Sequence, residues 1–159
     1  MKTGKEKYQE HLNRILTAVS LGKPDRPPVA PCAPAFCAKH VGVKLSEVAS
    51  NAEISADCIY RSAIALGDVD AVQHAAFITP LLSTAWLSKI KVPGKDLPEN
   101  VNWQVVEEEL MKPEDYDEII NKGYGPWFAD YMNNRIGGVF EQLAPLGEIT
   151  ARAIQRLAD

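Results

Sequence analysis

The 159-residue chain has no apolar run of roughly 18 residues, the length a membrane-crossing helix needs. It has no cluster of Lys or Arg, and its formal net charge is −4, so there is no electrostatic case for nucleic acid. Only three cysteines are present, an odd number without the spacing of a disulfide framework. Free thiols in a reducing cytoplasm are therefore expected. The start, "MKTGKEKYQEHLNRIL", is polar and charged where a secretory signal has a basic start followed by an apolar stretch. Repeats and low-complexity segments are absent as well.

What is present is an ordinary globular composition. A hydrophobic share of 46% in 159 residues can bury a real core, and the length predicts one domain over 1–159. Thr3 and Glu6 have the spacing of a capping box. Tyr8, Leu12, Ile15, Leu16 and Val19 then follow on one helical face. Gly22 is expected to end this helix, and Pro24 forbids its continuation. "KPDRPP" reads as a turn. "VAPCAPAF" reads as extended, because each residue before a proline is pushed to β or polyproline geometry. Pro31 and Pro34 argue against a regular central strand there, or for a strand whose end leaves its ladder.

"GVKLSEVASN" predicts a short helical turn. Ser50 and Glu53 form a second expected capping box before "ISADCIYRSAIALG", in which Cys58, Ile59, Ser62 and Leu66 share a face and Gly67 closes the helix. "DVDAVQHAAFIT" reads as a buried strand of about six residues. An extended segment, a helix and a buried strand make a βαβ pattern. "KIKV" is a possible short strand, and "WQVVEEEL" is strand or extended arm with Glu107–Glu109 on a solvated edge. "KPEDYDEIINKG" predicts a helix with Pro113 first, acidic residues in its first turn and Tyr116, Ile119 and Ile120 on its apolar side. Further helices are expected from Pro126 through "PWFADYMNNRI" and over "GEITARAIQRLAD". Two strands do not finish an α/β sheet, and a closed (β/α)₈ barrel takes about 250 residues. The expectation is the front portion of something larger.

The order and spacing of "GKPDRPPVAP", "LGDVDAVQHAAFITPLLSTAWLSKIKVPGKDLPENV" and "KPEDYDEIINKG" resemble the N-terminal part of the uroporphyrinogen decarboxylase superfamily, which also holds the corrinoid-dependent methyltransferases. The resemblance spans nearly the whole chain but about half the family's length. It implies a fold class of α/β, a partial (β/α)₈ TIM barrel with a leading helix, in which "VAPCAPAF" is the first strand and "DAVQHAAF" the second. The departures select a branch. Where the decarboxylases carry arginines after the first strand to hold substrate carboxylates, "VAPCAPAFCAKHVG" has only Lys39 as a cation. Where they carry an Asp at the end of the second strand, counting from Asp70 gives Phe77. The resemblance thus implies the methyltransferase type rather than uroporphyrinogen decarboxylase of porphyrin biosynthesis. Zinc and a corrinoid partner are implied for a complete family member, with no cofactor or metal ligand in this chain.

The candidate pocket residues are Cys32 at the mouth of the first strand, His74 in the second, and Phe77. For Cys32 and His74 the bland alternative is plain packing. Gln73 and His74 fall on opposite faces of a strand, so only one can face a pocket. Cys37 and His40 make a C-x-x-H pair with Cys32 upstream. Such donors suit zinc, but a site takes three or four ligands, and the other reading is small buried thiols beside a loop histidine. Trp103, Trp127, Phe128 and Tyr131 are either a cofactor-covering surface or core. Three outcomes are left open: a methyltransferase-type barrel portion that is inactive alone, a non-catalytic half-barrel that pairs with itself or a complementary half, and a piece of a longer protein. The expected partners are a barrel half and a corrinoid protein, with no nucleic acid and no membrane.

Overall fold

The computed structural model describes residues 2–72, 75–79, 81–137, 144 and 146–158. The fold is helix-rich. Among the described residues its only sheet is a two-stranded antiparallel pair.

Helix α1 spans Gly4–Val19 and starts as its sequence dictates. Thr3 Oγ1 accepts from the Glu6 N–H at 3.2 Å, and Glu6 Oε2 accepts from the Thr3 N–H at 2.7 Å. The helix ends at Ser20, before the expected Gly22. Leu21 takes a left-handed φ of 59°, and the Gly22 N–H returns to Thr17 O at 2.9 Å. Residues 27–33 are neither helix nor β-ladder, as their prolines favour. The next helix begins inside the expected strand. α2 runs Pro34–Val41, with Pro34 pre-set for the first helical position and Gly42 closing the end at φ 74°.

α3 (Leu45–Ser50) is the short turn expected there. α4 (Ala52–Leu66) is capped not by Ser50 but by Asn51, whose Oδ1 accepts from the Glu53 and Ile54 N–H groups at 3.0 and 3.1 Å. Ser50 Oγ donates instead to Ser46 O. The residue next to the helix can turn its side chain onto the free N–H groups, and Ser50 lies one position too early. Ser55, Ala56, Cys58, Ile59, Ser62 and Ala63 form the buried face of α4, while Leu66 is largely exposed. These small side chains let α2 and α3 pack closely on α4, in a core of Cys37, Ala38, Val48, Cys58 and Ile59.

The described residues of the expected buried strand within 68–79 form no ladder either. They are irregular, and their N–H groups go elsewhere: Thr79 to Ala49 O at 2.9 Å, and Phe77 to Ser55 Oγ at 2.9 Å. α5 (Leu81–Trp86) leads to β1 (Ile90–Lys91), paired with β2 (Gln104–Val105) through Ile90–Val105 and Lys91–Gln104. Between the strands, Gly94 has φ 78° and lies so close to Ser46 that an added Cβ would stand 2.4 Å from the Ser46 Cβ. Nearby, Glu99 O accepts from the Ser46 N–H and Asn100 Oδ1 from the Leu45 N–H, capping α3. Glu107–Glu109 are exposed as expected, and Lys89 pairs with Glu108.

α6 (Pro113–Lys122) and α7 (Tyr124–Asp130) follow, α7 starting two residues before Pro126. A π-turn over Tyr131–Arg135 continues α7, marked by the Ile136 N–H bonding Tyr131 O. Trp127, Tyr131, Met132 and Ile136 form a second core with Ile119 and Phe128 against it, so these aromatics are packing residues. Tyr116 and Ile120, expected on the same buried side as Ile119, are exposed. α8 (Leu146–Ala158) packs on α4, with Ala153 and Ile149 beside Ala56 and Ala76. Among the described residues, no helix is long and apolar enough to cross a membrane.

Candidate functional site

Two features flank the segment at 27–33. One is ionic and the other apolar.

The ionic feature centres on Asp70, whose side chain has no exposed surface. Its carboxylate receives the Val29 N–H at 2.7 Å, His11 Nδ1 at 2.6 Å and Arg26 at 2.6 and 3.2 Å, and it also pairs with Arg14. Arg14 in turn forks onto Asp25 at 2.7 and 2.8 Å. α1 therefore supplies His11 and Arg14, the "PDRPP" turn supplies Asp25 and Arg26, and "DVDA" supplies Asp70. Backbone bonds reinforce the joint: the Asp70 and Ala71 N–H groups both donate to Val29 O, at 2.8 and 3.3 Å.

Burial pushes the Asp70 carboxyl up, but the Val29 N–H and the His11, Arg14 and Arg26 side chains outweigh it and hold it well below the usual carboxylate range. Arg14 brings Asp25 down to about 2. Asp25 and Asp70 in turn raise Arg14 above the ordinary arginine value. A carboxylate with this many donors has no lone pair left for proton transfer or for a substrate. The joint is structural.

The second feature is a cavity of about 20 Å³, whose lining includes Cys32, Pro34, Cys37, Ile59, Leu66 and Val72. It has room for about one water-sized sphere. Its walls are carbon, and its chemistry-bearing groups are the two thiols.

Of the pocket candidates, Cys32 lies on this cavity and is exposed. Phe77 is half-buried and packs against the core around Cys37 and Cys58 instead of lining the cavity. His74 lies outside the described residues. Cys37 is buried on the cavity wall. His40 is exposed on the same helix, bonded through Nδ1 to Ser62 Oγ at 2.9 Å and stacked on Phe36 at a centroid distance of 5.3 Å. Among the described residues, no group of three or more His, Cys, Asp or Glu side chains is arranged to hold a metal ion. Cys37 and His40 are thus two donors where a zinc site takes three or four.

Sequence reasoning missed the joint. Asp68 and Asp70 read as strand-entry residues, and nothing marks Arg14 as buried. A signal was available in hindsight: His11 and Arg14 place two cationic-type side chains beside the apolar stripe of α1, at the spacing of helical neighbours.

No protein-family model, curated protein or solved structure matches the chain.

Proposed function

We propose that these residues form the opening portion of a uroporphyrinogen-decarboxylase-like barrel of the corrinoid-dependent methyltransferase type, in a cytoplasmic protein. The supporting observation is the joint between Val29 and Asp70. The segments that open the resemblance, "PDRPPV" and "DVDA", meet there through side chains and backbone. The first two strands of a barrel lie side by side, and this contact is the one such an arrangement needs at their entry.

The chemistry beyond the joint favours methyl transfer over decarboxylation. A tetrapyrrole polycarboxylate needs fixed guanidinium forks, and 29–42 contains no arginine. Both Arg14 and Arg26 are committed to Asp25 and Asp70. Phe77 offers no anion to a cationic pyrrole intermediate. In the complete protein the zinc, the corrinoid partner and the thiol-activating ligands come from outside these residues. This portion alone is inactive.

The test is methyl transfer from methylcobalamin to a thiol, assayed with this chain alone and with a complementary C-terminal half of a corrinoid-dependent methyltransferase barrel. The proposal expects turnover only in the mixture. Turnover by this chain alone, or decarboxylation of uroporphyrinogen, overturns it.

A second reading has its own support. Leu21 and Val19, at the end of α1, are 96% and 74% exposed, and Ile120 on α6 is 79% exposed, apolar side chains that a partner chain would cover. This favours a non-catalytic half-barrel that pairs with itself or with another chain. Light scattering separates the readings: a stable monomer at micromolar concentration counts against the self-pairing module.

A further inference from the structure

The two thiols on the apolar cavity are placed by the geometry of a helix start. Ala33 is the N-cap of α2, so Cys32 is the residue before the cap and Cys37 is the fourth helical residue. Side chains at these two positions fold against each other across a helix N-terminus, as in the hydrophobic staple. Here both staple positions are cysteine, and both line the same cavity. Neither is in a disulfide. Cys32 is open to solvent and gives entry, while Cys37 is buried and gives a fixed end point.

We propose that Cys32 and Cys37 form a dithiol site for a soft trivalent metalloid centre of the organoarsenical class. The surroundings select this class over a charged metal complex. The cavity wall is apolar and contains no Lys, Arg or His to stabilise the thiolates that a metal cation requires, whereas the arsenic–sulfur bonds form from neutral thiols. Two sulfurs and one carbon around trivalent arsenic make a neutral product, so the sulfurs can stay against the apolar wall; the cavity is too small for the organic group, which lies on the open side at Cys32. Soft sulfur donors suit such a centre, and no side chain on the wall carries a hard oxygen donor. The reaction balances without an oxidant: two S–H bonds and the arsenic–oxygen bond of an arsine oxide break, two As–S bonds form, one water leaves, and arsenic stays trivalent. Cys58 does not take part. It is fully buried behind Cys37, and burial pushes its thiol up to about 11. The site does not depend on the methyltransferase reading.

The experiment titrates the whole chain with phenylarsine oxide and counts adducts by intact-protein mass spectrometry, with Cys58 left in place throughout. One phenylarsenic per chain is expected, released by an excess of a small dithiol and retained in the same excess of a monothiol. Because the second As–S bond forms intramolecularly, Cys32→Ser and Cys37→Ala should each weaken retention by about 100-fold. Cys32→Ser changes an exposed side chain and keeps the test valid even if Cys37→Ala loosens the core. Retention in Cys32→Ser within threefold of the unmodified chain overturns the proposal. So does release of the adduct by monothiol as readily as by dithiol.

Discussion

Two buried carboxylates hold this molecule together in different ways. Asp115 satisfies itself nearby: it caps its own helix by accepting the Lys112 N–H at 2.6 Å and takes the Arg135 fork at 2.6 Å on each oxygen. Asp70 is satisfied from far away, by α1, the "PDRPP" turn and Val29. The first carboxylate finishes one corner of the C-terminal helices around Trp127 and Tyr131. The second fastens three segments that otherwise share little apolar contact, since no α1 side chain belongs to the buried apolar clusters found among the described residues. A charged residue can thus fill the place a hydrophobic contact usually fills, provided every donor it meets is aimed at it.

The comparison is most sharply broken at Asp70. Asp70→Ala leaves Arg14 with only Asp25 and Glu10, and Arg26 with only the exposed Asp68, around a buried position that has lost its carboxylate, and is expected to cost about 3–5 kcal/mol in urea unfolding. Asp115→Ala should cost clearly less and should change mainly the near-ultraviolet signal of the aromatic cluster. Equal losses from the two substitutions would erase the distinction.

Acid is the next lever. Arg135, helped by the Lys112 N–H, holds Asp115 below the usual carboxylate range. Asp70 is held there despite its burial, and Arg14 brings Asp25 to about 2. Each folded-state value lies below the unfolded one near 4. The stabilisation is therefore fully present above about pH 4 and lost as the pH falls through the folded values. Unfolding free energy measured between pH 5 and pH 2 should fall with decreasing pH, and the slope should flatten in Asp70→Asn and in Asp115→Asn.

A smaller effect is expected from Arg135→Lys, which keeps the charge but loses the two-pronged contact and the bond to Leu110 O. About 1.5–2 kcal/mol should be lost, and a double-mutant cycle with Asp115→Asn should show most of it as coupling. The smallest expected change is Thr3→Ala. It removes the α1 capping box for about 1 kcal/mol and leaves the Asp70 joint intact, read as unchanged exchange protection of the Asp70 and Ala71 amides relative to global unfolding.

The same contrast explains what was legible in the sequence. Local chemistry could be read: the Thr3–Glu6 box, Pro113 opening α6, Gly67 closing α4 and the short Ile90–Lys91 strand all follow from neighbouring residues. Two expectations failed where a local signal was ambiguous. Pro34 read as a disrupted strand end but starts α2, since proline suits both places. "DVDAVQHAAFIT" has the composition of a buried strand, yet Phe77 and Thr79 bond to Ser55 and Ala49. Composition reports burial and does not say which partner takes the backbone hydrogen bonds. Of the site, Cys32 was singled out as the mouth of an expected first strand, and it lines a cavity although its segment forms no ladder. The cavity's second thiol was read as packing, because its place in the helix start depended on where α2 begins. Arg14 and Asp70 were missed because nothing within ten residues of either announces the other.

The fold account and the functional proposal both rest on the segment around Val29 being fastened beside 70–72. Native-state hydrogen exchange at the Asp70 and Ala71 amides, both bonded to Val29 O, tests this directly. The account predicts that these two amides are protected to nearly the global unfolding free energy, and that Asp70→Asn lowers their protection together with that of the Val29 amide. Exchange of the Asp70 and Ala71 amides at the rate of an open loop, unchanged by Asp70→Asn, would contradict it.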